Sequence, residues 1–559
     1  MLSDHARRWW RAAILAVLFA GAAARASVVF WTDPWGPHQP DEHILPLEAL
    51  ALWEGVTPRE VGWPATTNRL LLSGVNAGRF FAAKGDELWK RKSKPAEALD
   101  VITKWIGGQY VDPIPLYKTG RLLSVLAGIA QLLLLVWALR QWVGPIGVAV
   151  GTFAVAMSPL AVRYSQYVLA DITALLFATV MVGLAAKPTG RRVIAMAALV
   201  GLAASSKFHF GLWLFTPMLI AVRLASTPAR RALMVLATMG MCAWVLVTLV
   251  PWLWVNPLLA VKEFLAVVAV KLFSGEGGHR WELVPHNIVL IFNGVGITIL
   301  VGVAAALYFL RRGDWHRVLP LVVSGLIAFG ILVMSGTVFD RYSLLVLPGA
   351  VVVAALGWEQ WLMTSNIALR RVASVALMLC VAVTLVSLWS AERVTAEVDV
   401  DVLAKQWVID HVPPGSRVGV HDEMNALLPR SPDQLDACAK SLENENAYQR
   451  KWRSEGLSAK GIVDDPMRSM VLNDEEFEVY WCRRELLART SPGFFLVRYH
   501  DGPRFDAVPE SDVLQEFAGG GTAVTGGVDV LVINRAVDVG RPPAVVLSTA
   551  RGNRFIYQK

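Results

Sequence analysis

Apolar residues run along this chain in long unbroken stretches rather than in alternation. The stretches fall near residues 12–31, 119–139, 144–162, 167–186, 192–206, 209–225, 232–254, 286–310, 318–336, 342–358 and 372–390. A bilayer core needs about 20 consecutive apolar residues per helix. In lipid, only helices and closed barrels satisfy their own backbone. Continuous hydrophobicity with glycine and alanine throughout favours helices, so the pattern predicts a membrane all-α bundle of about eleven transmembrane helices. No internal repeat stands out, and no inverted symmetry relates the two halves, as it does in many secondary transporters.

Between the first two stretches lies a long loop, residues 32–118. Within it "EHILPLEALALWEG" and "EALDVITKWIGG" read as short amphipathic helices lying along the membrane surface. A second polar segment, 255–285, carries the apolar piece "LLAVKEFLAVVAVKLF" followed by "SGEGGHRW". From about residue 391 the apolar runs shorten and charge rises, so 391–559 reads as a soluble α/β domain. There "DVDVLAKQWVIDHV" has helical periodicity up to Pro413-Pro414, and "RVGVH", "GFFLVRYH" and "VDVLVINR" read as strands. The glycines of "AGGGTAVTGG" lack a Walker lysine and a following helix, and read as a turn.

Composition supports a membrane chain. Of 559 residues, 55% are hydrophobic and 18% charged, where soluble domains carry about 25%. Mean hydropathy is +0.46. The net charge of +8 does not point to nucleic acid, because the basic residues sit in short clusters between apolar runs. Arg7, Arg8 and Arg11, Arg140, Lys187 with Arg191 and Arg192, Arg230 and Arg231, Arg311 and Arg312, and Arg370 and Arg371 all fall on one side if there are eleven spans. The positive-inside rule makes that side the cytoplasm. The N-terminus is then cytoplasmic and 391–559 is periplasmic or extracellular, as expected of a multi-pass protein of the inner (plasma) membrane. Residues 1–26 also resemble a signal peptide ending at "AAARAS", but the apolar run continues through Trp31, which favours a retained helix. Cys242 and Cys380 lie in apolar runs. Cys438 and Cys482 lie in the polar part, and the sequence leaves open whether a disulfide joins them.

Ionisable groups in or beside a span are costly and therefore functional candidates. They gather on the predicted external side: Asp41 and Glu42, Asp171, Lys207 with His209, His279 with Arg280, and Asp340-Arg341-Tyr342. Each has a plainer reading. Asp41 and Glu42 suit the N-terminus of the helix starting near Ile44. Asp171 suits a helix cap or a partner for Arg163. Lys207 suits a side chain snorkelling to the interface, Arg341 a partner for Asp340 or lipid headgroups, and the histidines structural roles. His38 and His43 near the acids leave a divalent metal open, without reliable ligand spacing.

The acidic pair in "PDEH", with "GRLLSVLAG", "SPLAVRYSQYVLAD", "GLAASSKFHFGLWLFTP" and "FDRYSLLVLPG" in order, resembles the GT-C superfamily of integral-membrane glycosyltransferases. The similarity is to the branch holding protein O-mannosyltransferases and lipid A aminoarabinose transferases, and it covers roughly residues 10–390. The C-terminal domain matches no acceptor-specific type. The resemblance implies transfer of a hexose or pentose from a polyprenyl-phosphate-linked donor to a glycan, lipid or protein acceptor, with inversion at the anomeric carbon. It implies catalytic roles for Asp41, Glu42 and Asp171, with Asp41 as general base. Lys207, Arg341 and Tyr342 would meet the donor phosphate, and His279 would lie on a loop able to contact the site. A flippase or transporter of a lipid-linked saccharide would use the same cations without needing the acidic pair. A non-catalytic assembly protein would need fewer spans.

Overall fold

A computed structural model of the chain describes residues 4–30, 44–54, 66–111, 114–168, 170–250, 280–335 and 340–396, short pieces between 253 and 262, and five strands between 417 and 558. The chain divides into two compact units: residues 1–30, 59–72 and 120–392, and residues 31–58, 73–119 and 393–559.

Along the chain the described helices are α1 (Asp4–Ala26), α2 (Ile44–Ala51), α3 (Thr66–Lys90), α4 (Pro95–Val111), α5 (Ile114–Leu139), α6 (Pro145–Ala156), α7 (Pro159–Gln166) and α8 (Asp171–Ala185). They continue with α9 (Gly190–Ser206), α10 (Phe215–Leu224), α11 (Pro228–Leu249), α12 (Arg280–Val295), α13 (Ile297–Phe309), α14 (Arg312–Val333), α15 (Leu347–Leu362) and α16 (Ile367–Ala396). The described part of each apolar run lies on one of these helices, on a broken pair or on a 3₁₀ turn adjoining one. Among the described residues five helices are long and apolar enough to cross a membrane, and up to seven spans result if each of two bent pairs counts as one. The first unit is thus the helical bundle of a multi-pass membrane protein.

Each bent pair stands where one continuous run was expected, and both bends have local causes. The run 144–162 breaks by 55° between α6 and α7. Ser158 caps α7 by accepting from the Ala161 amide at 3.3 Å, and Pro159 occupies the first helical position, the arrangement that starts helices rather than continues them. The run 286–310 bends by 98° between α12 and α13. Gly296 sits there at φ +88°, a conformation that disfavours any side chain.

Close packing of the bundle relies on small residues, as expected where lipid offers no hydrophobic drive between helices. A Cβ on Gly357 of α15 would run into the Gly302 carbonyl and the Ala306 backbone of α13. Gly302 in turn leaves room for Trp358, which is fully buried and donates its indole N–H to the Thr298 carbonyl at 2.8 Å. On α1, Arg25 is fully buried. Its guanidinium donates to the Gly21 carbonyl at 3.0 Å, and to Ala156 and Val155 at 2.9 and 3.2 Å. The last two are terminal carbonyls of α6, which have no partner within their own helix. The residues of "AAARAS" up to Ala26 therefore close a packed helix, and Ser27 opens the 3₁₀ turn that follows.

In the second unit α2 and α4 occupy the two segments expected as short helices, whereas α3 was not legible from the pattern. Trp53, in the turn after α2, stacks on Trp105 of α4 at 5.6 Å, and Phe80 of α3 meets both rings edge-on at 5.9 and 5.4 Å. The same unit holds a five-stranded sheet: β1 (Arg417–Val420), β2 (Glu478–Tyr480), β3 (Val530–Ile533), β4 (Val545–Thr549) and β5 (Gly552–Gln558), in the order β2-β1-β3-β5-β4. β1 runs parallel to β2 and β3, and β5 antiparallel to β3 and β4. β1 and β3 fall on "RVGVH" and "VDVLVINR". The expected strand "GFFLVRYH", the expected helix before Pro413, "AGGGTAVTGG", Cys438 and Cys482 lie outside the described residues, as does most of 255–285.

The glycine contact between α13 and α15 yields a direct test. Gly357→Ala is expected to lower stability by about 1–3 kcal/mol, the usual cost of overpacking. Gly240→Ala, with nothing within 4 Å of its Cβ, should leave the melting temperature in detergent unchanged or slightly raised.

Candidate functional site

Helix ends deliver the charged residues of the first unit. Asp171 is the first residue of α8, and Lys207 is the C-cap of α9, its backbone N–H bonded to the Ala203 carbonyl at 2.8 Å. These consecutive helices pack together, which sets the start of one beside the finish of the other. Lys207 Nζ lies 3.3 Å from Asp171 Oδ2, with side chains 5% and 2% exposed. A lysine snorkelling to water would be exposed, so burial against a carboxylate replaces that reading. It also replaces the pairing of Asp171 with Arg163.

Arg163 instead faces Asp340, at 3.8 Å from Oδ2. Asp340 opens a 3₁₀ turn, Asp340–Leu345, that leads into α15. Its Oδ1 accepts from the Tyr164 hydroxyl at 2.7 Å and from the Arg341 backbone N–H at 2.7 Å. Asp340 thus fastens its turn to α7 and fixes the start of the segment bearing Arg341 and Tyr342. Both of those side chains are buried. The Tyr342 ring has Lys207 Nζ 5.9 Å away, Arg341 Cζ 5.9 Å away and the His209 ring at 4.8 Å. Both cations are within the roughly 6 Å at which an aromatic quadrupole attracts a positive charge.

The two cation-bearing segments are tied to each other. Lys207 is followed by a 3₁₀ turn, Phe208–Leu214. There the buried Trp213 donates its indole N–H to the Leu345 carbonyl at 2.9 Å. Two residues at the start of α3 bond to the same two helix ends that carry the ion pair. The Thr67 and Ser205 hydroxyls are 2.6 Å apart, and Asn68 donates to the Thr173 hydroxyl at 3.0 Å. Ser205 lies two residues before Lys207, and Thr173 two after Asp171. Sequence reasoning missed Thr67 and Asn68. The polar cluster "TTN" before an apolar run was visible, but partners more than 100 positions away were not.

Asp171, Lys207, Arg341, Tyr342 and His209 therefore come together, joined by Arg163, Tyr164 and Asp340. Arg163, Lys207 and Arg341 against Asp171 and Asp340 leave a formal charge of +1. Asp41, Glu42, His43, His38 and His279 lie outside the described residues. Among the described residues no group of three His, Cys, Asp or Glu side chains is placed to hold a metal ion. A small cavity in the bundle is lined mainly by apolar side chains of α5, α6, α8 and α15, with Gln131 and Thr179, and by none of the candidate residues.

No family model and no curated protein matches the chain. Among solved structures it is similar to the apo oligosaccharyltransferase of Archaeoglobus fulgidus, at 12% identity and a TM-score of 0.43, covering 74% of this chain and 59% of that one. It is also similar to ArnT from Cupriavidus metallidurans bound to undecaprenyl phosphate, at 11% identity and a TM-score of 0.42, covering 100% and 98%. The archaeal oligosaccharyltransferase AglB with an inhibitory peptide and a dolichol-phosphate follows at 12% and 0.41, covering 82% and 69%. The chain thus spans 59% of the length of the first of these structures. Likenesses this loose carry nothing about activity.

The buried pair makes its own prediction. Asp171→Asn or Lys207→Met alone removes one charge of a buried ion pair and is expected to cost about 3–5 kcal/mol. The double variant should recover most of that loss in thermal unfolding. Additive losses would mean that the two groups do not act as a pair.

Proposed function

We propose that the chain is a GT-C-type glycosyltransferase that moves a sugar from a polyprenyl-phosphate donor to a cell-envelope acceptor. The observation that carries this reading is the meeting of Lys207, Arg341 and Tyr342 at helix ends in a membrane bundle. That is the arrangement an anionic headgroup on a long lipid needs. The ordered sequence motifs of that superfamily support it. In this reading residues 1–390 are the catalytic domain and 391–559 a periplasmic domain, with the N-terminus in the cytoplasm of an inner-membrane protein.

The chemistry is a single displacement. The acceptor hydroxyl or amine attacks the anomeric carbon, its proton passes to the Asp41 carboxylate, and the bond from that carbon to the phosphate oxygen breaks with inversion. A positioned base contributes about 10²–10⁴-fold. The leaving polyprenyl phosphate gathers negative charge, which Lys207 meets as a point charge and Arg341 as a fork able to grip two oxygens. Asp171, 3.3 Å from Lys207, holds the ammonium in place, so its role is positioning rather than proton transfer. Adjacent residues point in different directions, so Glu42 serves apart from Asp41, orienting the acceptor, binding a metal or capping its segment. His279 would contact the site from its loop. A flippase for the same lipid would use the same cations but would not need the acidic pair Asp41-Glu42.

Purified protein given labelled polyprenyl-phosphate sugars and an envelope extract should transfer sugar. Asp41→Asn should lower turnover by about 10²–10⁴-fold with donor affinity retained. Arg341→Ala should weaken donor binding at least tenfold, about 1.4 kcal/mol. Transfer undiminished in Asp41→Asn removes the base assignment. Donor movement across vesicles without turnover favours the flippase.

A further inference from the structure

α16 is the last of the described helices, and much of its surface faces outward. Met378, Leu379, Val386 and Trp389 are all exposed along it. Its docking uses polar side chains, which hold helices together where lipid supplies no hydrophobic drive. Midway along, the buried Thr384 and Thr298 hydroxyls are 3.1 Å apart and join α16 to α13. Near its C-terminal end, Glu392 Oε2 accepts from the Ser27 hydroxyl at 2.8 Å and from the Gln166 side-chain amide at 3.4 Å. Ser27 opens the turn after α1, and Gln166 is the last residue of α7. Three helix ends therefore meet at one carboxylate.

Gln166 is fully buried. Its amide nitrogen also donates to the Ala24 carbonyl and the Ser27 hydroxyl, at 2.8 and 2.9 Å, so the nitrogen end must face Glu392. The amide oxygen is left buried without a donor among the described residues, an orientation that costs free energy and is held by the acceptors on the nitrogen side. α7 is only eight residues long, and Arg163 and Tyr164 lie three and two residues before Gln166. Those two side chains hold Asp340, which starts the turn bearing Arg341 and Tyr342. A helix of two turns moves as one rigid element, so a shift of Gln166 is a shift of Arg163 and Tyr164.

We propose that Glu392 is a positioning residue for the donor-phosphate site. Through Gln166 it sets α7, and α7 sets the turn that presents Arg341. This rests on the reading of Lys207, Arg341 and Tyr342 as phosphate ligands. Glu392 takes no part in the displacement itself. Without its carboxylate the Gln166 amide is free to turn its buried oxygen toward a donor, and α7 loses a contact that fixes its end.

The test makes two measurements on the full chain in detergent. One is deuterium exchange of the peptide covering residues 340–345, which needs no ligand. The other is the affinity for fluorescent undecaprenyl phosphate, read by anisotropy. Glu392→Ala should speed the exchange and weaken affinity by about 2–30-fold, the range over which a side chain acting through others modulates a separate site. Glu392→Gln should restore most of both, because an amide oxygen accepts the same hydrogen bonds. Gln166→Ala should match Glu392→Ala, with no further loss in the double variant. Thr384→Val loosens the same helix away from α7, so it should lower the melting temperature and leave exchange and affinity at native values. Unchanged exchange in Glu392→Ala, an equal effect of Thr384→Val, or unchanged affinity in Glu392→Ala where Arg341→Ala loses it would each overturn the proposal. Affinity unmoved in Arg341→Ala removes the phosphate reading itself, and the proposal with it.

Discussion

The buried contact between Lys207 and Asp171 is the constraint on which the site depends. An ammonium and a carboxylate so far from water are tolerable only together, and their partnership requires that α8 start where α9 stops. That requirement fixes the register of two packed helices. It also fixes the turn after Lys207, whose Trp213 holds the turn bearing Arg341 and Tyr342. Asp340 then fastens this second turn to α7 through Tyr164 and Arg163. Four segments from across the sequence thereby meet near one tyrosine ring, through the buried Lys207–Asp171 and Trp213–Leu345 contacts, which are expensive to break, and through the half-exposed pairing of Arg163 with Asp340.

Continuous apolar runs carried the helical architecture in the sequence, because a bilayer tolerates little else. Breaks within those runs were legible only in retrospect. Ser158-Pro159 is a helix start by residue type alone, yet the hydrophobicity runs straight through it. Gly296 looks like any other glycine of a small-residue helix until its backbone angle is known. α3 escaped notice because its apolar face is interrupted by Gly74 and Gly78 and diluted by charges, so neither a spanning run nor a compact amphipathic motif stands out. In the C-terminal part, "RVGV" and "VLVI" were recognisable as β-branched clusters, whereas the three-residue β2 and the polar β5 were not.

The candidate residues followed a similar pattern. That Asp171, Lys207, Arg341 and Tyr342 deserved attention came from the cost of charge beside lipid. Their partners were not readable. Spacing along the chain offers Asp171 a helix cap or its near neighbour Arg163, whereas helix packing gives it Lys207, 36 positions away. Thr67 and Asn68 reach even farther. Local spacing identifies groups that need a partner, and tertiary packing decides which one they receive.

The proposed activity requires the cluster around Tyr342 to meet the phosphate of a lipid-linked sugar. The most direct measurement is to map where a photoreactive polyprenyl-phosphate analogue attaches, by peptide mass after irradiation in detergent or nanodiscs. The account predicts adducts within residues 163–171, 205–214 and 340–345, competed by unlabelled donor. Specific, competed adducts confined to other segments would contradict it.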